Sequence, residues 1–490
     1  MYFCFMESTE TITISKAEYD SMVGRIALLN HEIAELRRLI FGAKSERFIA
    51  PISNQPTLFE LSEAEKTEKS KEEITYTRNK PEPKNHPLRL ELPAHLPRKT
   101  EVIEPETLPE GAKKIGENIT EVLDYTPANV FVRRIVRPKY IVSQDDEQTS
   151  ILTAALPSLP IPKGNAGAGL LAHILVSKFV DHLPFYRQVQ IFKRQQLTIP
   201  ESTIGGWFHA SCRLLEPLYG VLKTKLVASD YLEADETPIP VQTQDKPGAT
   251  HKGYHWVYFD PGNKLVLFDY QKTRGREGPE DLLKNFSGYL QTDGYTAYNN
   301  LKKGANITQL ACMAHARRKF EHAQDNDPAL ATEALLMFGR LYKVERDARE
   351  KKLSHEEIRV LRQEKSAPIL LEMETWLNEK QNKVLPKSAI GQAIAYTLTL
   401  WPRLVRYIDQ GRFYIDNNLI ENSIRPVALG RKNYMFAGSH DAAQQAAILY
   451  SLLATCKINN VEPFEWLSNT LSVISDHPAN QLHKLLPVQK

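Results

Sequence analysis

Apolar positions first fall into register at Tyr19, Met22, Ile26, Leu29, Ile33, Leu36 and Ile40, at alternating steps of three and four. That spacing predicts an amphipathic helix with an a/d seam over 15–41, opened by the capping-box pattern Ser15-Lys16-Ala17-Glu18. Such a seam fits self-association as a coiled coil, or docking of the helix on its own domain, and Gly24 weakens it. The polar turn Gly42-Ala43-Lys44-Ser45-Glu46-Arg47 closes the segment. Residues 50–87 set few large apolar side chains among Glu, Lys, Ser and Pro, the composition of a flexible linker. From 88 to 156 the pattern shortens to strands. Its most β-prone run, 130–140, carries Arg133, Arg134, Arg137 and Lys139 among branched and aromatic residues. A strand of that kind can track phosphates, and the solvated face of a small sheet would read the same way.

After a Pro-rich joint at 157–164 the period lengthens again. Helices are expected at 166–181, 184–196 and 201–226. Pro184 would lie in the first turn of the second, and Thr198-Ile199-Pro200-Glu201 would form a capping box for the third. A helix, a short turn and a longer helix make a helix-turn-helix pattern, which any three-helix bundle shares. Lys178, Arg187, Lys193 and Arg194 give it a positive side. Beyond Asp230 strands are predicted at 231–241, 254–259 and 264–270, with Asp260-Pro261-Gly262-Asn263 as a hairpin turn. A helix follows over 278–286, then an apolar strand, 288–294, that ends in an acid. Further on, Leu419, Ile420, Ile424 and Val427 lie at helical spacing, with Pro426 where that helix should end or kink.

With 490 residues the chain needs two to four domains, and 42% hydrophobic with 25% charged residues is ordinary for a globular protein. No apolar run reaches the length of a membrane span, and Glu7 interrupts the apolar start, so the expectation is a cytoplasmic protein without membrane partners. Cys4, Cys212, Cys312 and Cys456 are far apart. That excludes a disulfide scaffold and a four-cysteine zinc site and fits a reducing compartment. A net charge of +3 leaves any case for nucleic acid to local charge placement.

Three carboxylates change the picture. Asp235 lies in the first strand of the 231–294 region, Asp293 at the tip of its last strand beside Gly294, and Glu421 in the later helix. Arg425, Arg431 and Lys432 follow Glu421. Taken singly, each acid reads as a cap, a turn residue or half of a solvated pair such as Glu421–Arg425. An acid at the tip of an apolar strand is costly unless it is paired, hydrogen-bonded or metal-bound. Converging, the three would offer hard oxygen ligands suited to Mg²⁺ or Mn²⁺. Two such ions suit in-line phosphoryl displacement, whereas glycoside hydrolysis needs only two carboxylates.

Several stretches together resemble the transposases of the insertion-sequence 66 family over nearly the whole chain. They are 40–47 (IFGAKSER), 176–188 (VSKFVDHLPFYRQ), 234–238 (ADETP), 289–295 (YLQTDGY), 314–320 (AHARRKF) and 415–439. The resemblance implies a multidomain α/β plus α protein. Its RNase H-like catalytic core (229–326 and 411–440) would use Asp235, Asp293 and Glu421 as D-D-E ligands of two Mg²⁺ or Mn²⁺ ions. A helical insertion would fill 327–410, a small helical domain 441–490, a helix-turn-helix domain 157–228 and a small β domain 88–156. A coiled-coil helix, 15–48, and a disordered linker, 49–87, would precede them. The expected activity is that of a bacterial DNA transposase that binds terminal inverted repeats, cleaves 3′ ends and transfers strands. It would work on double-stranded DNA as a homo-oligomer joined through 15–41. Arg317, Arg318 and Lys319 would face DNA, along with Arg425, Arg431 and Lys432. The same core could belong to a nuclease that never joins ends, or to a silent DNA-binding regulator. Two departures from the family pattern stand out. Residues 101–150 lack the cysteines of its zinc module, so no zinc is expected, and Asn422 stands where arginine is frequent.

Overall fold

The computed structural model describes residues 139–144, 148–153 and 158–488, apart from 163, 165, 244–247, 300 and 302–305. The readings for the helix at 15–48, the linker at 49–87 and most of 88–156, with Arg133, Arg134 and Arg137, lie outside the described residues. Within 44–156, one of the chain's two compact units, β1 (Lys139–Gln144) pairs antiparallel with β2 (Gln148–Thr153).

In the other unit, helices α1 (Ala168–Phe179), α2 (Phe185–Arg194) and α3 (Glu201–Val227) occupy the three predicted stretches. The expected capping box before α3 is not made. Pro200 is the N-cap and offers no side-chain acceptor, so the start is fixed by proline's φ and by burial of Ile199 and Ile204 against Ile174 and Phe192. Lower down, Phe208, Leu215, Leu218, Leu222 and Leu226 recur along one face of α3 and join the core of the sheet that follows.

That sheet has five strands: β3 (Tyr231–Gln242), β4 (Thr250–Asp260), β5 (Leu265–Gln271), β6 (Gly288–Thr292) and β7 (Ile307–Ala311), in the order β5-β4-β3-β6-β7. The first three form an antiparallel meander, and β6 and β7 add to β3 in parallel. The predicted hairpin turn is present, with the Asn263 N–H donating to Asp260 Oδ1 at 3.0 Å. Short helix α4 (Glu277–Leu283) connects β5 to β6. Gly288 opens β6 with φ +149°, where a Cβ would press on the Asp230 backbone at 2.3 Å.

From β7 the chain enters α5 (Met313–His322), α6 (Pro328–Glu350), α7 (His355–Leu361), a π turn (Arg362–Ser366), α8 (Ala367–Gln381) and α9 (Ala389–Leu404). These helices build a second core around Phe320, Phe338, Leu341, Met373 and Trp401, which the sheet reaches through Tyr231 and Leu310. The return path leads into α10 (Asn418–Tyr434), then α11 (His440–Ile458) and α12 (Pro463–Val473). Helix α10 does not end at Pro426 but continues through it to Tyr434. Burial of Ile420, Ser423, Val427 and Gly430 along one face holds it, against the roughly 3 kcal/mol that an internal proline costs. Among the described residues no helix is long and apolar enough to cross a membrane.

Candidate metal centre

Parallel pairing sets Glu233 of β3 beside Gln291 of β6. Two residues further along each strand, Asp235 and Asp293 therefore fall next to each other at the sheet's C-terminal edge, on the face that the period of two assigns to both. One oxygen from each of Asp235, Asp293 and Glu236 lies within 4.8 Å of the other two. Strand alternation alone would send Glu236 to the opposite face. β6 stops at Thr292, however, and β3 is paired again on that side only at Val241, with Ala437, so Glu236 has no strand partner there and its carboxylate comes in beside the aspartates. Sequence reading missed this third acid, although it stands within the quoted ADETP stretch. Its only signal is adjacency to Asp235.

The turn after β6 is tightly specified. The Tyr295 N–H donates to Asp293 Oδ1 at 2.8 Å, and the Tyr396 hydroxyl of α9 donates to the Asp293 carbonyl at 2.6 Å. Gly294 has φ +88°, and a Cβ there would meet Leu400 of α9 at 2.6 Å. Only glycine fits both the backbone and the packing.

Glu421 arrives from α10, whose start is fastened to this edge. The Met313 N–H donates to the Ile415 carbonyl at 3.0 Å, and the Asn417 N–H to Cys312 Sγ at 3.3 Å. Glu421 does not join the other three acids at ligand spacing. Its ion-pair partner is Arg318 of α5, at 3.7 Å, rather than the Arg425 expected from helical spacing. It is still close enough to act on the group, since its charge contributes to raising Asp235 and keeps His315 from falling further.

Electrostatics mark the cluster as short of positive charge. Burial, then the neighbouring Glu236 and Asp293, push the Asp235 carboxyl up to about 8, against one N–H bond from Glu236 at 2.8 Å. Burial also raises Glu236, with Arg274 opposing it. Beneath lies Glu233, fully buried and pushed well above the carboxylate range by burial and by Asp416. It faces the Ile420 N–H without a hydrogen bond of ordinary geometry. Burial lowers His315, whose Nδ1 has no hydrogen-bond partner. Oxygen donors gathered in this way fit Mg²⁺ or Mn²⁺ better than zinc, which favours nitrogen and sulfur. Cys312 is buried, with its sulfur turned to the Asn417 N–H.

The candidate DNA-facing cations are spread over several elements. Arg187, Lys193 and Arg194 are exposed on α2, and Arg187 reaches Asn433 Oδ1 of α10 at 3.5 Å. Arg318 and Lys319 are exposed on α5, while Arg317 pairs with Glu321 at 3.0 Å. Arg425 and Lys432 are exposed on α10, but Arg431 turns inward and donates to the Pro238 carbonyl of β3. Lys139 opens β1.

Three family models match the chain. "Transposase IS66 family" covers residues 163–445, "IS66 C-terminal element" covers 451–488, and "Transposase C of IS166 homeodomain" covers 28–100. Among curated proteins, "Uncharacterized protein y4jD" of Sinorhizobium fredii is 33% identical over 491 residues, 94% of this chain and 94% of the relative. "Uncharacterized protein y4qI" of the same organism is 34% identical over 495 residues, 96% and 90%. "Uncharacterized protein YuaK" of Escherichia coli is 45% identical over 49 residues, 10% of this chain and 52% of the relative.

Proposed function

The chain belongs to the IS66 family of transposases, and from that premise we propose that it is a DNA transposase whose metal-dependent centre is Asp235, Asp293 and Glu421. The observation that carries this reading is the strand register, which seats the two aspartates side by side at the sheet edge to which α10 delivers Glu421. Strand order and direction support an RNase H-like core, a meander of three antiparallel strands extended by two parallel ones. Asp235 and Asp293 would hold a divalent ion, and Glu421, delivered by α10, would complete the ligand set by moving in from its present pairing with Arg318. Such ions, when bound, supply Lewis acidity at the scissile phosphate.

The chain's own residues supply position and charge. Arg318 and Lys319 on the exposed side of α5, with Arg425 and Lys432 on α10, grip phosphates on either side of the acids. The α2 cations Arg187, Lys193 and Arg194, with Arg133, Arg134, Arg137 and Lys139 further up the chain, bind the transposon end. Residues 15–41 join protomers so that both ends are handled together. The domain layout expected from the sequence belongs to this proposal, with 157–228 as the end-binding module.

The test uses the full chain with duplexes carrying the repeats that flank its own gene. Mg²⁺-dependent 3′-end cleavage is expected, followed by joining of precleaved ends to target DNA. Asp235→Asn, Asp293→Asn and Glu421→Gln should each lower cleavage by about three orders of magnitude, roughly 4 kcal/mol of transition-state stabilisation. Cleavage without joining would make the protein a nuclease. Undiminished cleavage by Asp293→Asn would remove the assigned centre.

A further inference from the structure

Arg274 lies on the segment between β5 and α4 and reaches the acid cluster from outside. Its Nε donates to Glu236 Oε1 at 2.8 Å, and a terminal nitrogen engages the same oxygen. The pair is asymmetric: the guanidinium side chain is 45% exposed and the glutamate side chain 2%. The remaining contacts fix Arg274 to the turn that carries Asp293. Its guanidinium lies 4.0 Å from the centroid of the Tyr295 ring, and the Tyr295 hydroxyl donates to the Arg274 carbonyl at 3.0 Å. The Tyr298 hydroxyl takes the other glutamate oxygen at 3.3 Å.

Those contacts put a removable positive charge on a buried negative one. The half-exposed guanidinium keeps much of its own hydration, so the cost of parting falls on the buried carboxylate. Glu236 cannot stay ionised alone in a buried site, so Arg274 can depart only if another cation arrives. Across the site, Arg318 stands toward Glu421 in a looser version of the same arrangement. Planar guanidinium on an aromatic face is also well set to take two phosphate oxygens once freed.

We propose that Glu236 is a further ligand of the metal centre and that Arg274 is its exchangeable counterion, yielding the carboxylate to a divalent ion and then gripping a DNA phosphate. The inference rests on the metal-centre reading above and adds a regulation to it: the internal ion pair competes with the metal for Glu236 and weakens metal binding until a DNA phosphate draws Arg274 away.

Mn²⁺ titration of the full-length protein without DNA, followed by calorimetry, separates the two. Wild type should bind, and Asp235→Asn should not. If wild type fails to bind, or Asp235→Asn binds equally well, the metal centre itself is wrong and this inference falls with it. With that control in place, Arg274→Gln should tighten Mn²⁺ binding by about three- to tenfold, the weight of a partly exposed ion pair removed from competition. Glu236→Gln should weaken it, and adding Arg274→Gln to Glu236→Gln should change affinity by less than about twofold. With Ca²⁺ present, Arg274→Gln should bind duplex DNA several-fold more weakly than wild type. An Arg274→Gln variant with unchanged or weaker Mn²⁺ affinity, or a Glu236→Gln variant that binds like wild type, overturns the proposal while leaving the metal centre standing. Should Arg274→Gln not fold, Arg274→Lys carries the comparison: tighter Mn²⁺ binding supports the proposal, and unchanged or weaker binding overturns it.

Discussion

His255 lies in β4 among the rings of Phe268, Tyr270 and Tyr450, and neither of its nitrogens has a hydrogen-bond partner. Burial, and secondarily the charge of Arg431, lowers it to about 3. The folded protein therefore keeps the imidazole neutral, whereas the unfolded chain takes up a proton below about pH 6.5. Stability from this group is complete above pH 6.5 and is lost as pH falls, at about 1.4 kcal/mol per unit down to about pH 3. His255→Met, of similar volume, should melt within about 1 kcal/mol of wild type at pH 7 and lose less stability from pH 6.5 to 5. Denaturant melts at three pH values check this, and parallel slopes for the two proteins would contradict it. The sequence offers no warning of such a residue, because 254–259 reads as a β-prone run and periodicity says nothing of burial on both faces. Residue reading singled out Asp293 as an acid at the tip of an apolar strand and Asp235 as an acid within one, and the fold brings the two carboxylates together. That reading missed Glu236, whose place depends on β6 ending at Thr292, and Arg274, 38 positions away from its partner.

At the scale of elements, the most consequential side chain outside the centre is Arg362, in the π turn between α7 and α8. It is 3% exposed and holds Glu345 of α6 through two nitrogens, at 2.9 and 2.7 Å. It also donates to the carbonyls of Tyr407, Gln410 and Phe413 at 2.8, 2.8 and 2.9 Å. These bonds tie the helical segment 328–404 to the strap that leads into α10 and Glu421. Arg362→Met should cost about 3–5 kcal/mol by stranding a nearly buried glutamate. It should also weaken Mn²⁺ binding, because the approach to α10 loosens. Adding Glu345→Leu should restore part of the stability but not the metal affinity, since the three carbonyls stay unpaired. Unchanged Mn²⁺ affinity in a destabilised Arg362→Met protein would show that strap and centre are independent. In the sequence Arg362 is one cation in a run of surface-like charges, so its role could not be read there. The helices around it could, as the helical insertion expected over 327–410. Strand β7 could not: Ile307, Leu310 and Ala311 show no alternation, and it forms because β6 offers an edge.

For the whole molecule, the question is whether the segment after Ser439 is a separable end domain. Its helix α11 argues against that. Ser451, Thr455 and Asn459 lie four residues apart on one face, and they meet Phe268, Val266 and Lys264, two residues apart along edge strand β5. The Phe268 N–H donates to Ser451 Oγ at 2.7 Å, the Val266 N–H to Thr455 Oγ1 at 3.1 Å, and Asn459 Nδ2 to the Lys264 carbonyl at 2.9 Å. The spacing works because four helical residues rise about 6.0 Å and two strand residues about 6.7 Å. A helix thus takes the place of a sixth strand and blunts an edge that would otherwise recruit other chains. The apolar side chains Ala447, Leu449 and Leu452 of α11 meanwhile enter the same core as β4, β5 and α3. Truncation after Ser439 should therefore not give a trimmed but working protein. It should give a chain that aggregates, melts without a sharp transition and has lost Mn²⁺ binding. The milder Ser451→Ala/Thr455→Val protein should fold but lose about 1–3 kcal/mol for each strand N–H left unpaired. A soluble truncated chain with a cooperative melt and wild-type Mn²⁺ affinity would mean that the sheet closes its own edge and that the tail is only an appendage.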